Sequence, residues 1–455
     1  MTHDAHIHTP PLDLVGVGFG PANLSLCALF ASLRWKAGWT TKRIGFLERR
    51  PDFAWHPDML LDGARMQVAF VKDLVTPRDP TSPYSFLNYL FEQGRMEDFL
   101  NLHTFHPTRR EYHDYFSWAA AKLSDYVTYE QAVADVSPIV DADGSVRRLS
   151  VSFGGEGAGC SRSRVTSNLV LALGGKPALP RGAEHVKLTD AAFHSNSFLA
   201  NIRRYSERGR DRPYEFLTVG AGQSAAEIFQ YLAREFPQAG VTMAFSTFAL
   251  MPANSSVHAN EIFNPESVDL FYELPDTGKR LVLENLRHTN YAAVDEDVIQ
   301  DIAELLYDQR LCNHERLRLL RFTRLLDCQQ VGDKVTASLQ DTNTGAVHTR
   351  QYDGVVYATG YDFRHVEGLL TNLEPYLRRT ADGALVVERD YAIETDNVLQ
   401  ARVFLQGATE ESHGLSSTLL SVLSHRSYEI LQSAIGAKSA HKRPSEQTIY
   451  AARGA

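Results

Sequence analysis

The sequence predicts an α/β protein with two Rossmann-like dinucleotide-binding domains and a small, mostly helical substrate insertion. Two glycine-rich turns carry most of that expectation: Gly16-Val17-Gly18-Phe19-Gly20-Pro21 and Gly220-Ala221-Gly222-Gln223-Ser224-Ala225. Each follows an apolar strand-like run (12–15; 216–219) and precedes a helix-like one, which is the context the dinucleotide fingerprint requires. In such a turn the first glycine permits a tight bend and the second lets the backbone approach a pyrophosphate. The following helix supplies free N–H groups and a partial positive charge. The third glycine is replaced, by Pro21 and by Ala225. The remaining observation is a stretch over 261–309 whose apolar residues recur at helical spacing, flanked on both sides by strand-like runs.

After the first turn a helix is expected over 24–33 and a strand over 44–47, with 35–42 as the loop between them. Glu48 closes that strand, placed to accept hydrogen bonds from a ribose or else a plain surface carboxylate. Gly, Ser and charged residues over 154–163 mark a loop or hairpin tip. A strand over 168–173 runs into Gly174-Gly175-Lys176-Pro177, and the charged segment 203–212 reads as a linker before the second fingerprint. Helical periodicity follows over 279–286 and 294–306, and strand-like alternation resumes at 335–339 and 352–357. The strand over 403–406 meets Gly407, so the second half returns to the first nucleotide domain and the middle is an insertion. The expected partition is 9–205 and 351–445 for the first domain, 206–260 and 318–350 for the second, and 261–317 for the helical insertion.

A chain of 455 residues exceeds a single core, and 44% hydrophobic with 22% charged residues is an ordinary globular composition. The net charge of −9 argues against a nucleic-acid partner, and Arg316, Arg318, Arg321 and Arg324 suit a solvated face. No apolar run reaches the roughly 18 residues of a membrane span, and 1–11 lack the pattern of a signal peptide, so a cytoplasmic location is expected. Cys27, Cys160, Cys312 and Cys328 include no CxxC pair, which argues against a disulfide framework and against a pyridine-nucleotide disulfide reductase. His3, His6 and His8 read as a tail, and no metal site is expected.

Several longer blocks resemble the microbial siderophore N-hydroxylating flavin monooxygenases. They are Gly16-Val-Gly-Phe-Gly-Pro-Ala-Asn23, Trp55-His56, Met66-Gln67, Phe70-Val-Lys-Asp-Leu-Val75, Asp79-Pro-Thr-Ser-Pro-Tyr-Ser-Phe86, Ala358-Thr-Gly-Tyr361 and Ser412-His-Gly-Leu-Ser-Ser-Thr-Leu-Leu-Ser421. Within that family, Ala259-Asn-Glu-Ile-Phe263 and His288-Thr-Asn-Tyr291 followed by Val294-Asp295 are similar to the L-ornithine branch. The resemblance implies FAD in the first domain, NADPH in the second, and oxygen transfer from a flavin hydroperoxide to the side-chain amine of ornithine. The product is a precursor of a hydroxamate iron ligand.

Residue by residue, the resemblance implies substrate contacts from Lys72, Asn260, Asn290, Gln67 and Ser416. Lys72 would pair with the amino-acid carboxylate; as a plain surface lysine it would pair with Asp73 instead. Asn260 and Asn290 would orient the substrate, or serve as turn residues. For FAD, Gly16, Gly18, Gly20, Pro21 and Glu48 form the nucleotide turn. Trp55, His56 and Gln67 line the flavin, Arg109 stacks on the adenine, and Leu415 with Ser416 opens a helix whose N–H groups face the pyrimidine edge. Trp55 also fits a packing role, Arg109 a surface role, and Ser416 a helix N-cap. For NADPH, Gly220, Gly222, Gln223 and Ser224 cradle the pyrophosphate, and His194-Ser195 with Phe198 resemble a linker motif. The strand over 241–244 ends in Phe245-Ser246, where some relatives carry an arginine for the 2′-phosphate; an Arg or Lys from another loop is one way to replace it. No acid or base is assigned. L-lysine or a diamine such as putrescine remains an alternative substrate, a non-catalytic redox sensor an alternative function, and a homo-oligomer is left open.

Overall fold

The computed structural model describes residues 10–155, 162–254, 256–286 and 293–436. Two five-stranded sheets organise it, and every neighbouring pair in both is parallel. The first runs Arg402–Leu405, Asn168–Leu171, Leu14–Val17, Ile44–Leu47, Val127–Thr128 across the sheet. The second runs Leu317–Leu320, Gly240–Ala244, Glu215–Val219, Gly354–Tyr357, Ala192–His194. In each, the strand before the glycine turn lies at the centre, the doubly wound arrangement that brings chain reversal and helix N-terminus to one edge. Leu14–Val17, Ile44–Leu47 and Asn168–Leu171 are buried at every position, as parallel strands covered on both faces must be.

Helices Pro21–Leu33 and Gln223–Glu235 follow the two turns. The first buries Leu24, Leu26, Cys27, Leu29 and Phe30 in a core shared with helix Leu423–Ile435 and with the aromatic side of helix Arg109–Lys122. The second buries Ile228, Phe229 and Leu232 against Phe216 and Val241. Antiparallel three-stranded sheets, Ala132–Val140 with Val146–Gly154 and Arg162–Thr166, and Thr323–Val331 with Lys334–Asp341 and Val347–Tyr352, are inserted into the respective units.

Several expectations are corrected. The segment 203–212 is not a linker: helix Phe198–Arg208 occupies most of it and buries Phe198, Ile202 and Tyr205. That i, i+4, i+7 stripe begins five residues before the charged window, so the window cut it in half. The second unit starts before residue 206, because Ala192–His194 pairs with Gly354–Tyr357. It also continues past 350, because Gly354–Tyr357 pairs with Glu215–Val219, and the return to the first sheet comes only with Arg402–Leu405. Helix Glu296–Leu311 places Ile302 in the second core, leaving Val257–Asn260, Pro265–Glu273 and Asp276–Asn285 as the helices outside it. Strand partners are long-range, so shifts in composition along the chain did not locate these joins. Among the described residues no helix is long and apolar enough to cross a membrane, and no His/Cys/Asp/Glu group is arranged to hold a metal. Cys160 and the N-terminal histidines lie outside the described residues.

Candidate functional site

The first glycine turn is shaped for close approach. Gly18 has φ +83°, and a Cβ there would sit 2.4 Å from the Ala172 carbonyl oxygen. A Cβ on Gly16 would lie 2.3 Å from the Phe46 ring, whereas nothing stands within 4 Å of one on Gly20, so the turn is tight beneath and open above. Gly20 and Pro21 form the helix start. Buried Asn23 donates to the Gly18 carbonyl at 2.7 Å and pins the turn from inside. Glu48 sits across from it, accepting from the Phe19 N–H at 2.7 Å and the Arg50 N–H at 2.9 Å.

The 406–418 segment is braced against the same helix start. Gln406 reaches the Ala22 carbonyl and the Asn23 side chain, and buried Arg426 donates to the Ser417 carbonyl at 2.7 Å and the Ser416 carbonyl at 3.3 Å. Leu415 and Ser416 open a four-residue 3₁₀ turn, Leu415–Thr418, rather than a full helix; the helix starts only at Leu423. Both side chains are buried, so the segment presents backbone. His413 holds its entry: Nε2 is 3.1 Å from the Arg389 carbonyl, Nδ1 is 2.8 Å from the Ser412 hydroxyl, and the ring stacks on Tyr391 at 4.2 Å. A carbonyl only accepts, so Nε2 carries the proton and Nδ1 accepts from Ser412. Burial, with Arg389 and Arg426 nearby, pushes the His413 pKa down to about 3.

Lys72 is half-buried and has no carboxylate partner among the described residues. Its neighbour Asp73 is turned inward, where Oδ1 accepts from Val75 and Thr76 N–H and Oδ2 from Phe86 N–H and the Thr76 hydroxyl. The bland pairing of Lys72 with Asp73 is therefore excluded. Asn260 ends helix Val257–Asn260, half-buried; Asn290 lies outside the described residues. Helix Pro265–Glu273, which follows, seats Phe271 against Gly414 and Tyr272 against His413, so the helical segment closes over the 410–418 turn. Trp55 packs edge-on to Phe116 at 5.2 Å and to His56 at 5.5 Å. His56 in turn approaches Tyr361, which also meets His194.

The second turn repeats the first. Gly220 has φ +144°, a Cβ there would lie 2.3 Å from the Ala358 carbonyl oxygen, and Gly222 is the N-cap of helix Gln223–Glu235. Ser224 is half-buried in its first turn. Gln223, however, spends its side chain on the protein: Nε2 donates to Glu227 at 2.9 Å and Asp295 at 3.1 Å, and Oε1 accepts from the Asp295 N–H at 2.8 Å. Only its backbone is left for a pyrophosphate. Asp295 also accepts from Gln67 Nε2 at 2.9 Å, tying the Met66-Gln67 segment of the first unit to the second turn. Arg109 has partners the sequence did not indicate. Its guanidinium grips buried Glu227 through both oxygens, at 2.8 and 2.9 Å, and donates to the Met59 carbonyl, so its in-plane donors clamp the two units together. The two partners lie 118 residues apart along the chain.

Over residues 10–363 the chain matches the family described as L-lysine 6-monooxygenase/L-ornithine 5-monooxygenase. An L-ornithine N(5)-monooxygenase of Burkholderia cepacia is 41% identical over 88% of this chain and 89% of its own length. The chain belongs to this family. It is a monooxygenase with the family fold: the ornithine N-hydroxylase of Kutzneria sp. 744, solved with reduced FAD, NADP+ and L-ornithine, superposes with TM-score 0.86 at 34% identity, covering 93% of this chain and 99% of that one. A cadaverine monooxygenase of Erwinia amylovora bound to FAD gives TM-score 0.82 at 25% identity, covering 97% of this chain and 98% of that one. Within this monooxygenase, sequence reasoning passed over Asn23, Gln406, His413, Arg426 and Asp295, all of which hold a turn or a side chain of the site. Asn23, His413 and Asp295 lay inside the family blocks, which is the signal that was available; Gln406 and Arg426 are read only from contacts.

Proposed function

We propose that this monooxygenase hydroxylates the side-chain amine of L-ornithine at N5, using FAD, NADPH and O2, and so makes the precursor of a hydroxamate siderophore. The residues fit both nucleotides: each glycine turn packs so close to the next strand's carbonyl, at Ala172 and at Ala358, that no side chain fits, and each leads straight into a helix N-terminus whose free N–H groups suit a pyrophosphate. Bound there, the flavin supplies electron transfer and oxygen activation, with NADPH as hydride donor. Gly18, Gly20, Pro21 and Glu48 would hold the FAD pyrophosphate and ribose, Trp55 and His56 would line the ring, and the Leu415–Thr418 backbone would meet its pyrimidine edge. Gly220, Gly222 and Ser224 would receive the NADPH pyrophosphate.

The observation that carries the choice of an amino acid is Lys72, a half-buried ammonium whose adjacent carboxylate is fully engaged elsewhere. A cation so placed seeks an external anion, and the α-carboxylate of ornithine is one. A diamine has none, which sets putrescine and cadaverine aside. Asn260, Asn290 and Gln67 would orient the substrate. The amine must be neutral to react although its reference pKa is near 10.4, and desolvation under the helical segment over 257–285 lowers it. A product assay with ornithine, lysine and putrescine in parallel, measuring hydroxylamine beside NADPH consumption, tests the reading. Ornithine should give the most hydroxylamine per NADPH; equal or better coupling with putrescine sinks it.

A further inference from the structure

At the edge of the second sheet that carries the glycine turn, three chain segments lie side by side. The Gly220 N–H donates to the Ala244 carbonyl at 3.0 Å, the Phe245 N–H to Leu320 at 3.0 Å, and the Phe322 N–H to Thr247 at 3.2 Å. In a doubly wound sheet the end of the strand beside the central one meets the adenosine ribose. A carboxylate there serves a free 2′-hydroxyl, whereas a nearby arginine accommodates a 2′-phosphate. Here that end reads Ala244-Phe245-Ser246-Thr247-Phe248-Ala249-Leu250, with neither a carboxylate nor a cation. Phe245 is buried and Ser246 exposed.

The cation at this edge belongs to the next strand over. Arg321 is the first residue beyond Leu317–Leu320, exposed, with its guanidinium carbon 4.8 Å from the centroid of the Phe248 ring. Phe248 is itself 64% exposed and backed by Phe322, whose ring lies 5.9 Å away. No carboxylate among the described residues pairs with Arg321. A guanidinium held over an aromatic ring is partly pre-positioned and loses less freedom when its donors grip a pair of phosphate oxygens.

We infer that Arg321 holds the 2′-phosphate of NADPH, a phosphomonoester subsite supplied from the end of edge strand Leu317–Leu320 in place of the end of Gly240–Ala244. The inference rests on the second glycine turn taking NADPH. The test compares the parent protein with Arg321→Ala and Arg321→Lys in steady-state oxidation of NADPH and NADH, with flavin content and calorimetric titration of 2′-AMP alongside. Arg321→Ala should raise the KM for NADPH about tenfold or more, leave that for NADH within about twofold, and abolish binding of 2′-AMP at unchanged flavin content. Arg321→Lys, which keeps the charge but loses the fork, should fall between. Unchanged discrimination in Arg321→Ala, or an equal loss for both nucleotides, overturns the assignment and leaves the functional reading standing. A parent protein that oxidises neither nucleotide overturns both.

Discussion

Lys72 and Asp73 are adjacent yet face opposite demands: one carboxylate is buried under four donors while its neighbour's ammonium is left to an external anion. Lys72→Ala should weaken apparent affinity for ornithine by on the order of 2 kcal/mol, about thirtyfold in KM, the low end for a charge pair because Lys72 is only half-buried. Anaerobic reduction of the flavin by NADPH should be little changed, and more NADPH should end as peroxide. An unchanged ornithine requirement would mark Lys72 as structural and reopen the diamine reading. His413 gives a second expectation at this scale. Its pKa is about 3 in the folded protein against 6.5 for an unperturbed histidine, so between those values the unfolded chain binds a proton that the folded one refuses. Stability is therefore lost as pH falls through that window, by up to about 1.4 kcal/mol per pH unit from this group. Urea unfolding between pH 7 and pH 5 should show the slope, and His413→Gln should flatten it. Buried His194, whose pKa is also lowered by burial, contributes in the same direction and remains in the variant.

Among the elements, the two strand–turn–helix units are alike in construction and separable in effect. Gly18→Val meets both a positive φ and a Cβ position 2.4 Å from the Ala172 carbonyl oxygen, so the variant should purify with little bound flavin. Gly220→Ala meets the matching obstacle at Ala358, 2.3 Å away and at φ +144°. It should keep its flavin, read from the visible spectrum, and lose the rate of flavin reduction by NADPH in anaerobic stopped flow. A flavin-free Gly220→Ala, or a fully yellow Gly18→Val, would reverse the assignment of the two turns. The Phe198–Arg208 helix shows the complementary lesson: an amphipathic element with a charged face reads as a linker whenever the window misses its first apolar residue.

Across the whole molecule, the units meet through polar side chains that originate far apart in sequence. Arg109 of the first grips Glu227 of the second while also donating to the Met59 carbonyl, and Gln67 joins Gln223 through Asp295. Both partners of the Arg109–Glu227 pair are well shielded, with side-chain exposures of 14% and 4%. Arg109→Met should cost about 3–5 kcal/mol because Glu227 is left charged and buried, and Arg109→Met with Glu227→Met should recover most of that. Denaturant unfolding of the cycle measures it, and additive losses would show the pair is not coupled.

What the sequence determined by itself was local or dense in motif. The two glycine turns, the strands that feed them and the helices that follow are set by nearest-neighbour chemistry, since a positive φ and an apolar run of four need no distant partner. The family blocks likewise named Lys72, Gln67 and the 412–421 segment. Tertiary structure alone decided the rest. Strand pairing placed Gly354–Tyr357 in the second sheet and Ala192–His194 beside it, contrary to boundaries drawn from composition. The role of Arg109 turned on Glu227, and the freedom of Lys72 on the donors that Phe86, Val75 and Thr76 supply to Asp73. A charge has no fixed meaning along a chain, because its partner is chosen by the fold, and a buried ion pair or an unpaired ammonium exists only once distant segments have been packed together.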